Sequence, residues 1–109
     1  APHLARFLLS FIGDGQLEGT RILKAETVRE MRKTPFPKAD SKQGLVWYFD
    51  KIGGSKVMGH DGSDPGVAAV MYYRPTDGVG YLILMNAEPK SGRFEKALGQ
   101  RLMKYDEGR

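Results

Sequence analysis

The apolar residues near the start of the chain recur at the spacing of a helix. Within Pro2–Gly13 they fall at positions i, i+3, i+4 and i+7, which form one face of a helix. These positions are Leu4, Phe7, Leu8 and Phe11. A shorter stretch, Ala25–Lys33, has a weaker form of the same spacing, with Val28 and Met31 on its apolar side. We therefore predict two helices in the first third of the chain, the second ending before Pro35.

The middle of the chain changes to short segments rich in β-branched and aromatic residues, separated by turn residues. These segments are Gly44–Phe49, Lys56–His60, Val67–Arg74 and Val79–Met85. Short turns such as Pro75-Thr76-Asp77-Gly78 favour antiparallel pairing of consecutive strands. The last strand is apolar almost throughout, so we expect it to be covered on both faces.

A third helix is predicted after Ser91, which is a suitable N-cap. The side expected to face the sheet consists of Phe94, Ala97, Leu98, Arg101, Leu102 and Tyr105. The order helix, helix, four strands, helix predicts an α+β fold, in which an antiparallel sheet of about four strands carries N-terminal and C-terminal helices. The predicted core includes Trp47, Val70, Leu82, Leu84, Leu98 and Leu102.

The composition is that of a single globular domain, residues 1–109. The net charge of +4 is spread over both halves of the chain, which does not favour nucleic-acid binding. No apolar run approaches the roughly 20 residues of a membrane span, and Ala1-Pro2-His3 lacks the basic start of a signal peptide. We expect a soluble protein. The absence of cysteine excludes disulfides and leaves the compartment undetermined.

The residues with the most chemical potential lie together in one segment, Gly59–Gly66, between the second and third predicted strands. Its sequence is Gly-His-Asp-Gly-Ser-Asp-Pro-Gly. Three glycines and a proline exclude a helix and favour turns. We therefore expect a tight connection that presents one imidazole, His60, and two carboxylates, Asp61 and Asp64. On composition alone, we prefer to interpret this segment as a polar hairpin loop.

The same segment resembles the third motif of the serine β-lactamase-like hydrolases, which include class C β-lactamases, penicillin-binding proteins and related esterases. In that family a Lys or His, then usually Ser or Thr, then Gly lie on the strand beside the active site. The branch with His commonly continues into Pro-Gly. Gly44-Leu45-Val46-Trp47 resembles the family's Gly-Leu-Gly-Trp strand, with Val46 in place of the second Gly, and Leu82–Asn86 resembles its final strand. The order of these segments implies the C-terminal portion of that fold.

The resemblance implies a role for each residue of the motif. His60, at the position of the basic residue, is expected to hold the carboxylate or carbonyl of a small acyl ligand, or to relay a proton. Asp61 replaces the usual hydroxyl residue, and its ionised form cannot donate a hydrogen bond. Gly62 allows a substrate to approach the backbone, and the backbone N–H of Ser63 corresponds to the second oxyanion-hole donor. The turn that follows consists of Asp64, Pro65 and Gly66.

The nucleophile of that family is missing from the sequence. Family members attack a carbonyl with the Ser of Ser-x-x-Lys, assisted by a second motif of the form Tyr-x-Asn or Ser-x-Asn. Neither pattern occurs here. We therefore expect a partial domain that is inactive alone and uses no cofactor. Two alternatives stay open: half of a hydrolase that a separate chain completes, and a small ligand-binding or protein-interaction module.

Two other arrangements of the same residues have less support. A metal held by His60, Asp61 and Asp64 is not expected, because adjacent positions rarely point at one centre. A catalytic triad of Ser63, His60 and Asp64 would need a geometry that nothing in the sequence indicates. We predict neither a metal site nor a local triad.

The missing part of the fold would leave one edge of the sheet open. In the family, the strand that matches Val79–Met85 pairs on its free side with a strand from the N-terminal part, for which this chain has no counterpart. As an exposed edge, this strand would be long and apolar, with no Lys or Pro to discourage pairing. We therefore predict a homodimer in which this strand pairs antiparallel with the same strand of a second copy.

Overall fold

A computed structural model describes residues 1–107. The elements in chain order are α1 (Pro2–Ile12), β1 (Gln16–Leu17), β2 (Thr20–Arg21), α2 (Ala25–Arg32), β3 (Tyr48–Ile52), β4 (Ser55–Asp64), β5 (Val67–Tyr73), β6 (Gly80–Met85) and α3 (Arg93–Glu107). Strands β3 to β6 form one antiparallel sheet in chain order, and β1 and β2 form a separate small hairpin. The predicted α+β class is confirmed.

Helices pack on both faces of the sheet. The face that carries α1 and α2 contains the buried cluster Leu8, Phe11, Val28, Trp47, Met58 and Tyr73. The opposite face, which carries α3, contains the buried cluster Ile52, Val57, Val70, Tyr72, Tyr81 and Met103. Successive side chains of a strand point to opposite faces. As a result β5 contributes Tyr72 to one cluster and Tyr73 to the other.

Arg32 joins α2 to α1 and to the sheet. Its guanidinium donates to the carbonyl oxygen of Phe11 (2.8 Å), to Asp14 Oδ1 (2.8 Å) and to the hydroxyl of Tyr73 (3.1 Å). It also lies 5.2 Å from the centre of the Phe11 ring, within cation–π range. These contacts hold the two helices against β5, the strand next to the candidate site.

The segment Gly44–Trp47 forms a tight turn instead of the start of a strand. The Trp47 N–H donates to the carbonyl two residues earlier (2.9 Å), and Val46 between them has φ = 70°. This conformation is uncommon for a β-branched residue. The Trp47 ring is buried and stacks on Phe11 with centroids 4.2 Å apart. This packing outweighs the β propensity of the preceding residues, so β3 begins at Tyr48.

Helix α3 is rotated relative to the face that its apolar spacing predicted, and it begins at Arg93. Gly99 and Met103 are buried. All of the predicted inward residues except Leu98 are instead exposed: Phe94 (57%), Ala97, Arg101, Leu102 (42%) and Tyr105 (74%). A Cβ on Gly99 would lie 2.7 Å from Cε2 of the Tyr81 ring. The absence of a side chain at Gly99 allows close packing, and that close approach determines which side of α3 faces the sheet.

Strand β6 is less covered than predicted. On the α3 face Tyr81 is buried, but on the other face Leu84 is 51% exposed and Leu82 is half-buried. Helix α1 reaches only the start of the strand, where a Cβ on Gly80 would lie 3.1 Å from Leu8 Cδ2. Of the predicted core, Trp47 and Val70 are confirmed as buried, Leu82 and Leu98 are half-buried, and the predictions for Leu84 and Leu102 are wrong.

Candidate functional site

The segment Gly59–Gly66 is mostly strand rather than loop. Residues from Met58 to Asp64 pair in unbroken register with β5. Only Pro65 and Gly66 lie in the turn, and Gly66 has φ = 83°, a conformation that favours glycine. The predicted loop was too long, because backbone pairing across the hairpin extends the strand through residues that are individually poor strand formers.

Strand β4 pairs with different strands along its two halves, and only Met58 and Gly59 have a partner on both sides. β3 pairs with residues 55–59, whereas β5 pairs with residues 58–64. Beyond Gly59, no strand among the described residues lies on the β3 side. Residues 60–64 are all exposed. The candidate site residues His60–Asp64 therefore form a free edge of the sheet, with backbone groups open to solvent.

The side chains of this free edge alternate between the two faces of the sheet. His60 lies opposite Met71, which packs against the α1–α2 cluster, so His60 and Asp64 belong to that face. Asp61 and Ser63 belong to the α3 face. Because the Ser63 hydroxyl and the His60 imidazole lie on opposite faces, the strand does not assemble a triad of Ser63, His60 and Asp64.

His60 contacts the aromatic ring at the start of β3. The ring centroids of His60 and Tyr48 are 5.5 Å apart, and the rings are inclined by 59°. Tyr48 pairs with Gly59, the residue just before His60. Tyr48 belongs to the α3 face and His60 to the opposite face, so the two rings meet around the open edge of the sheet, where pairing with β3 ends and Gly59 has no side chain. His60 as a whole remains exposed and therefore accessible to a ligand.

Asp61 lies beside two phenols on the α3 face. The Tyr72 hydroxyl donates to the Tyr48 hydroxyl (2.8 Å) and lies 3.5 Å from Asp61 Oδ2. Burial raises the pKa of Tyr48 to about 12, and the nearby Asp61 carboxylate adds to the rise. Burial also raises the pKa of Tyr72. Both phenols are therefore neutral hydrogen-bonding groups near neutral pH, and neither is suited to act as a general base.

Three tyrosines form one row across the α3 face of the sheet, and we call Tyr48, Tyr72 and Tyr81 the tyrosine row. Tyr48 pairs with Gly59, Gly59 with Tyr72, and Tyr72 with Tyr81. Neighbouring rings of the row have centroids 6.0 and 6.1 Å apart. A Cβ on Gly59 would lie 2.6 Å from Tyr72 Cδ1. The glycine before His60 thus makes room for the Tyr72 ring.

The α3 side of the free edge borders an acidic cleft of about 230 Å³. Its lining includes Asp61 and Ser63 from β4, together with Glu88 and Glu95. One carboxylate oxygen of Glu95, Oε2, is buried without a hydrogen-bond partner. Three carboxyl groups around one cleft disfavour an anionic ligand there. The cleft therefore does not suit a carboxylate ligand.

Residues 1–107 contain neither a cluster of metal ligands nor a membrane-spanning helix. No group of three or more His, Asp or Glu side chains in this range converges as metal ligands do. None of the helices in the same range combines the length and apolar character that crossing a bilayer requires.

Comparison with models of protein families identifies the family of the chain. The family model for Beta-lactamase matches residues 1–103, a range that contains α1, α2, every strand and most of α3. The chain belongs to the beta-lactamase family. The match confirms the resemblance inferred from residues 59–66 and supports a serine-hydrolase-like domain. Comparisons with curated proteins and with solved structures found no match.

The motif Gly-Leu-Gly-Trp explains the unusual backbone conformation of the turn before β3. In the motif Gly-Leu-Gly-Trp, the second glycine corresponds to Val46, which has φ = 70° and is 68% exposed. Glycine adopts such a conformation without steric cost. The turn therefore keeps a shape suited to glycine although this chain has valine there.

The sequence did not identify Tyr48 and Tyr72 as neighbours of the motif. Both stand in segments rich in strand formers, where an aromatic residue is most simply a core residue. The signal that could have found them is strand register. Pairing outward from the turns at Gly53-Gly54 and Pro65-Gly66 aligns Tyr48, Gly59 and Tyr72 in one row.

Proposed function

We propose that this chain supplies the ligand-binding edge of a serine β-lactamase-like acyl hydrolase and does not turn over substrate by itself. The observation that carries the proposal is the free edge His60–Asp64 in a chain of the beta-lactamase family. An exposed strand edge can bind an extended ligand through main-chain hydrogen bonds, and nearby side chains then select the ligand.

Three residues of the edge have a proposed part in binding. His60 is exposed and binds the carboxylate or carbonyl oxygen of a small acyl compound. The backbone N–H of Ser63 donates to the oxygen of the same acyl group, as an oxyanion-hole donor does. Gly62 leaves room for the ligand, since no described atom lies within 4 Å of a Cβ placed there.

The proposed inactivity follows from the serines and lysines of the chain. Ser-x-x-Lys does not occur in the sequence. Ser10 is buried, and its hydroxyl donates to the carbonyl of Phe7 (2.7 Å), so it is held in the helix rather than presented to a substrate. Ser63 lies on the face opposite to His60 and has no imidazole to activate it.

The experiment for the proposed function combines turnover with binding. The purified chain is incubated with nitrocefin and with p-nitrophenyl acetate, and we expect no hydrolysis above background. Benzoate, a simple carboxylate probe, is then titrated while the ring signals of His60 and His3 are followed by NMR. Of the two histidine ring signals, we expect only that of His60 to shift. We expect the backbone amide signal of Ser63 to shift as well. Turnover that disappears in Ser63→Ala, or a His60 signal indifferent to benzoate, would contradict the proposal.

A second candidate function is a hydrolase half that another chain completes, and the observation in its favour is β6. This strand pairs with β5 on one side and has no strand partner on the other within residues 1–107. Its sequence, Gly80–Met85, has no Lys or Pro, and Leu84 is half exposed. An apolar free edge of this kind favours pairing with another strand.

For the chain by itself, we propose that a second copy covers this edge by antiparallel pairing of β6 with β6. Because a second copy also lacks Ser-x-x-Lys, this pairing does not complete a hydrolase. Two-fold symmetry would close such an assembly as a dimer. Leu84→Lys would place two ammonium groups near the pairing and should dissociate the dimer. Val67→Lys is the matched control, because Val67 is similarly exposed (46%) but begins the neighbouring strand β5. Sedimentation equilibrium showing a monomeric wild type, or equal effects of both variants, would contradict the homodimer.

A further inference from the structure

We propose that Tyr48 is the positioning residue of His60, because its ring fixes the imidazole at the free edge of β4. The inference rests on the proposed function, since the placement of His60 matters for binding only if this residue contacts the ligand. Tyr48 belongs to β3 and lies outside the motif at residues 59–66, so the inference assigns a role to a residue that the motif does not contain.

His60 has few other constraints. It is the first residue of β4 beyond the part that pairs with β3, and it is exposed. Within residues 1–107, neither nitrogen of its ring has a hydrogen-bond or ion-pair partner that would fix the ring. A side chain so placed would exchange between rotamers, and binding a ligand would then cost the entropy of selecting one of them. The Tyr48 ring, 5.5 Å away, limits this exchange while leaving both nitrogens available.

Tyr48 is itself held firmly enough to act in this way. Its hydroxyl accepts the hydrogen bond from the Tyr72 hydroxyl at 2.8 Å, and the two rings meet edge to face at 6.0 Å. Tyr72 is buried and contacts Tyr81, which packs under Gly99 of α3. The tyrosine row therefore connects a fixed interior to the exposed imidazole. Packing of this kind is what keeps a binding group in its productive rotamer.

The test compares wild type with Tyr48→Phe and Tyr48→Val. The first variant keeps the ring and removes the hydroxyl, and the second removes the ring while suiting a strand. If Tyr48→Val does not fold by circular dichroism, Tyr48→Leu replaces it. Magnetisation transfer between ring 48 and the His60 ring is measured by NMR, with His3 on α1 as an internal control. We expect the transfer in wild type and Tyr48→Phe, and His60 signals averaged over rotamers in Tyr48→Val.

The functional readout is the affinity for benzoate, followed through the His60 signal. We expect Tyr48→Val to weaken binding roughly two- to tenfold, the range of one aromatic contact. We expect Tyr48→Phe to bind nearly as tightly as wild type, because it keeps the edge-to-face contact with Tyr72. Equal affinities of wild type and Tyr48→Val would overturn the positioning role while leaving the proposed function intact. A wild-type His60 that does not respond to benzoate would overturn the proposed function and, with it, this inference.

Discussion

The two halves of β4 behave differently although they form one continuous strand. The first half, residues 55–59, pairs with β3, β5 joins it only at Met58 and Gly59, and Val57, Met58 and Gly59 are buried. In the second half only β5 remains, and every residue of His60–Asp64 is exposed. The change occurs between two consecutive residues, Gly59 and His60. It coincides with the end of pairing to β3.

This difference shows how the fold can combine a fixed position with an open site. The buried half anchors the strand in two hydrophobic clusters, through Met58 on one face and Val57 on the other. His60 is the next residue along the strand, so the anchored half fixes the position of its backbone. The free half leaves backbone groups unpaired on one side, as binding along an edge requires. A site built on a strand is more precise than one built on a loop.

The largest expected effect separates the two halves by stability. Met58 is fully buried, so Met58→Ala should lower the free energy of unfolding by about 2–5 kcal/mol. His60→Ala, two residues further on the same face, should change it by less than about 0.5 kcal/mol. Urea unfolding followed by circular dichroism measures both. Similar losses would mean that the two halves of the strand are not distinct.

A pair of glycine substitutions sharpens the boundary. A Cβ on Gly59 would collide with the Met71 carbonyl and the Tyr72 ring, so Gly59→Ala should cost about 1–3 kcal/mol. Gly62 has no described atom within 4 Å of such a Cβ, so Gly62→Ala should leave the melting temperature almost unchanged. A Gly59→Ala variant as stable as wild type would contradict the tight packing of the tyrosine row.

The turn at the end of the free half gives a smaller effect. Gly66 has φ = 83°, and Gly66→Ala should destabilise the protein by about 1 kcal/mol because alanine is strained there. Gly66→Asn is the control, since asparagine tolerates this conformation better, and it should cost less. Thermal unfolding of the three proteins decides the matter: equal melting temperatures for the Ala and Asn variants would argue against a backbone origin.

The last effect is absent at neutral pH, appears only in alkaline solution and concerns Tyr48, where pairing with β3 ends. Its pKa in the fold is about 12, above the ordinary value of about 10. As the pH rises from about 10, the unfolded chain loses this proton first, so stability falls with pH. Tyr48→Phe removes the group and should reduce the slope of that fall, while Tyr72 and Tyr81, whose pKa values are also raised, keep part of it. Unfolding midpoints at several pH values between 8 and 12 would measure it, and an unchanged slope would contradict the burial of Tyr48.

The sequence predicted those elements whose local pattern agrees with their packing. The helices near Pro2–Gly13 and Ala25–Lys33 formed as predicted to within a residue, because apolar spacing and flanking Gly or Pro pointed the same way. The start of β3 was wrong, because burial of Trp47 overrides β propensity. The inward side of α3 was wrong as well, because close packing at Gly99 selected a small residue where the pattern favoured large ones.

For the candidate site, composition located the right segment but gave it the wrong shape. Glycines and proline predicted a loop, whereas pairing with β5 makes residues 60–64 a strand edge. The contacts of His60 with Tyr48 and of Asp61 with Tyr72 depend on the register of separate strands, which no local pattern specifies. Residue types can therefore suggest the chemistry of the motif, but only pairing shows which face each side chain occupies.

We propose that the free half of β4 binds a carboxylate ligand while the buried half only supports it. The most direct measurement is a map of backbone amide shifts in the wild-type chain as benzoate is added. We predict that the amide signals of His60, Gly62 and Ser63 shift, and that those of Val57–Gly59 stay nearly unchanged. Shifts confined to the acidic cleft around Glu88 and Glu95, or no shifts along β4, would contradict it.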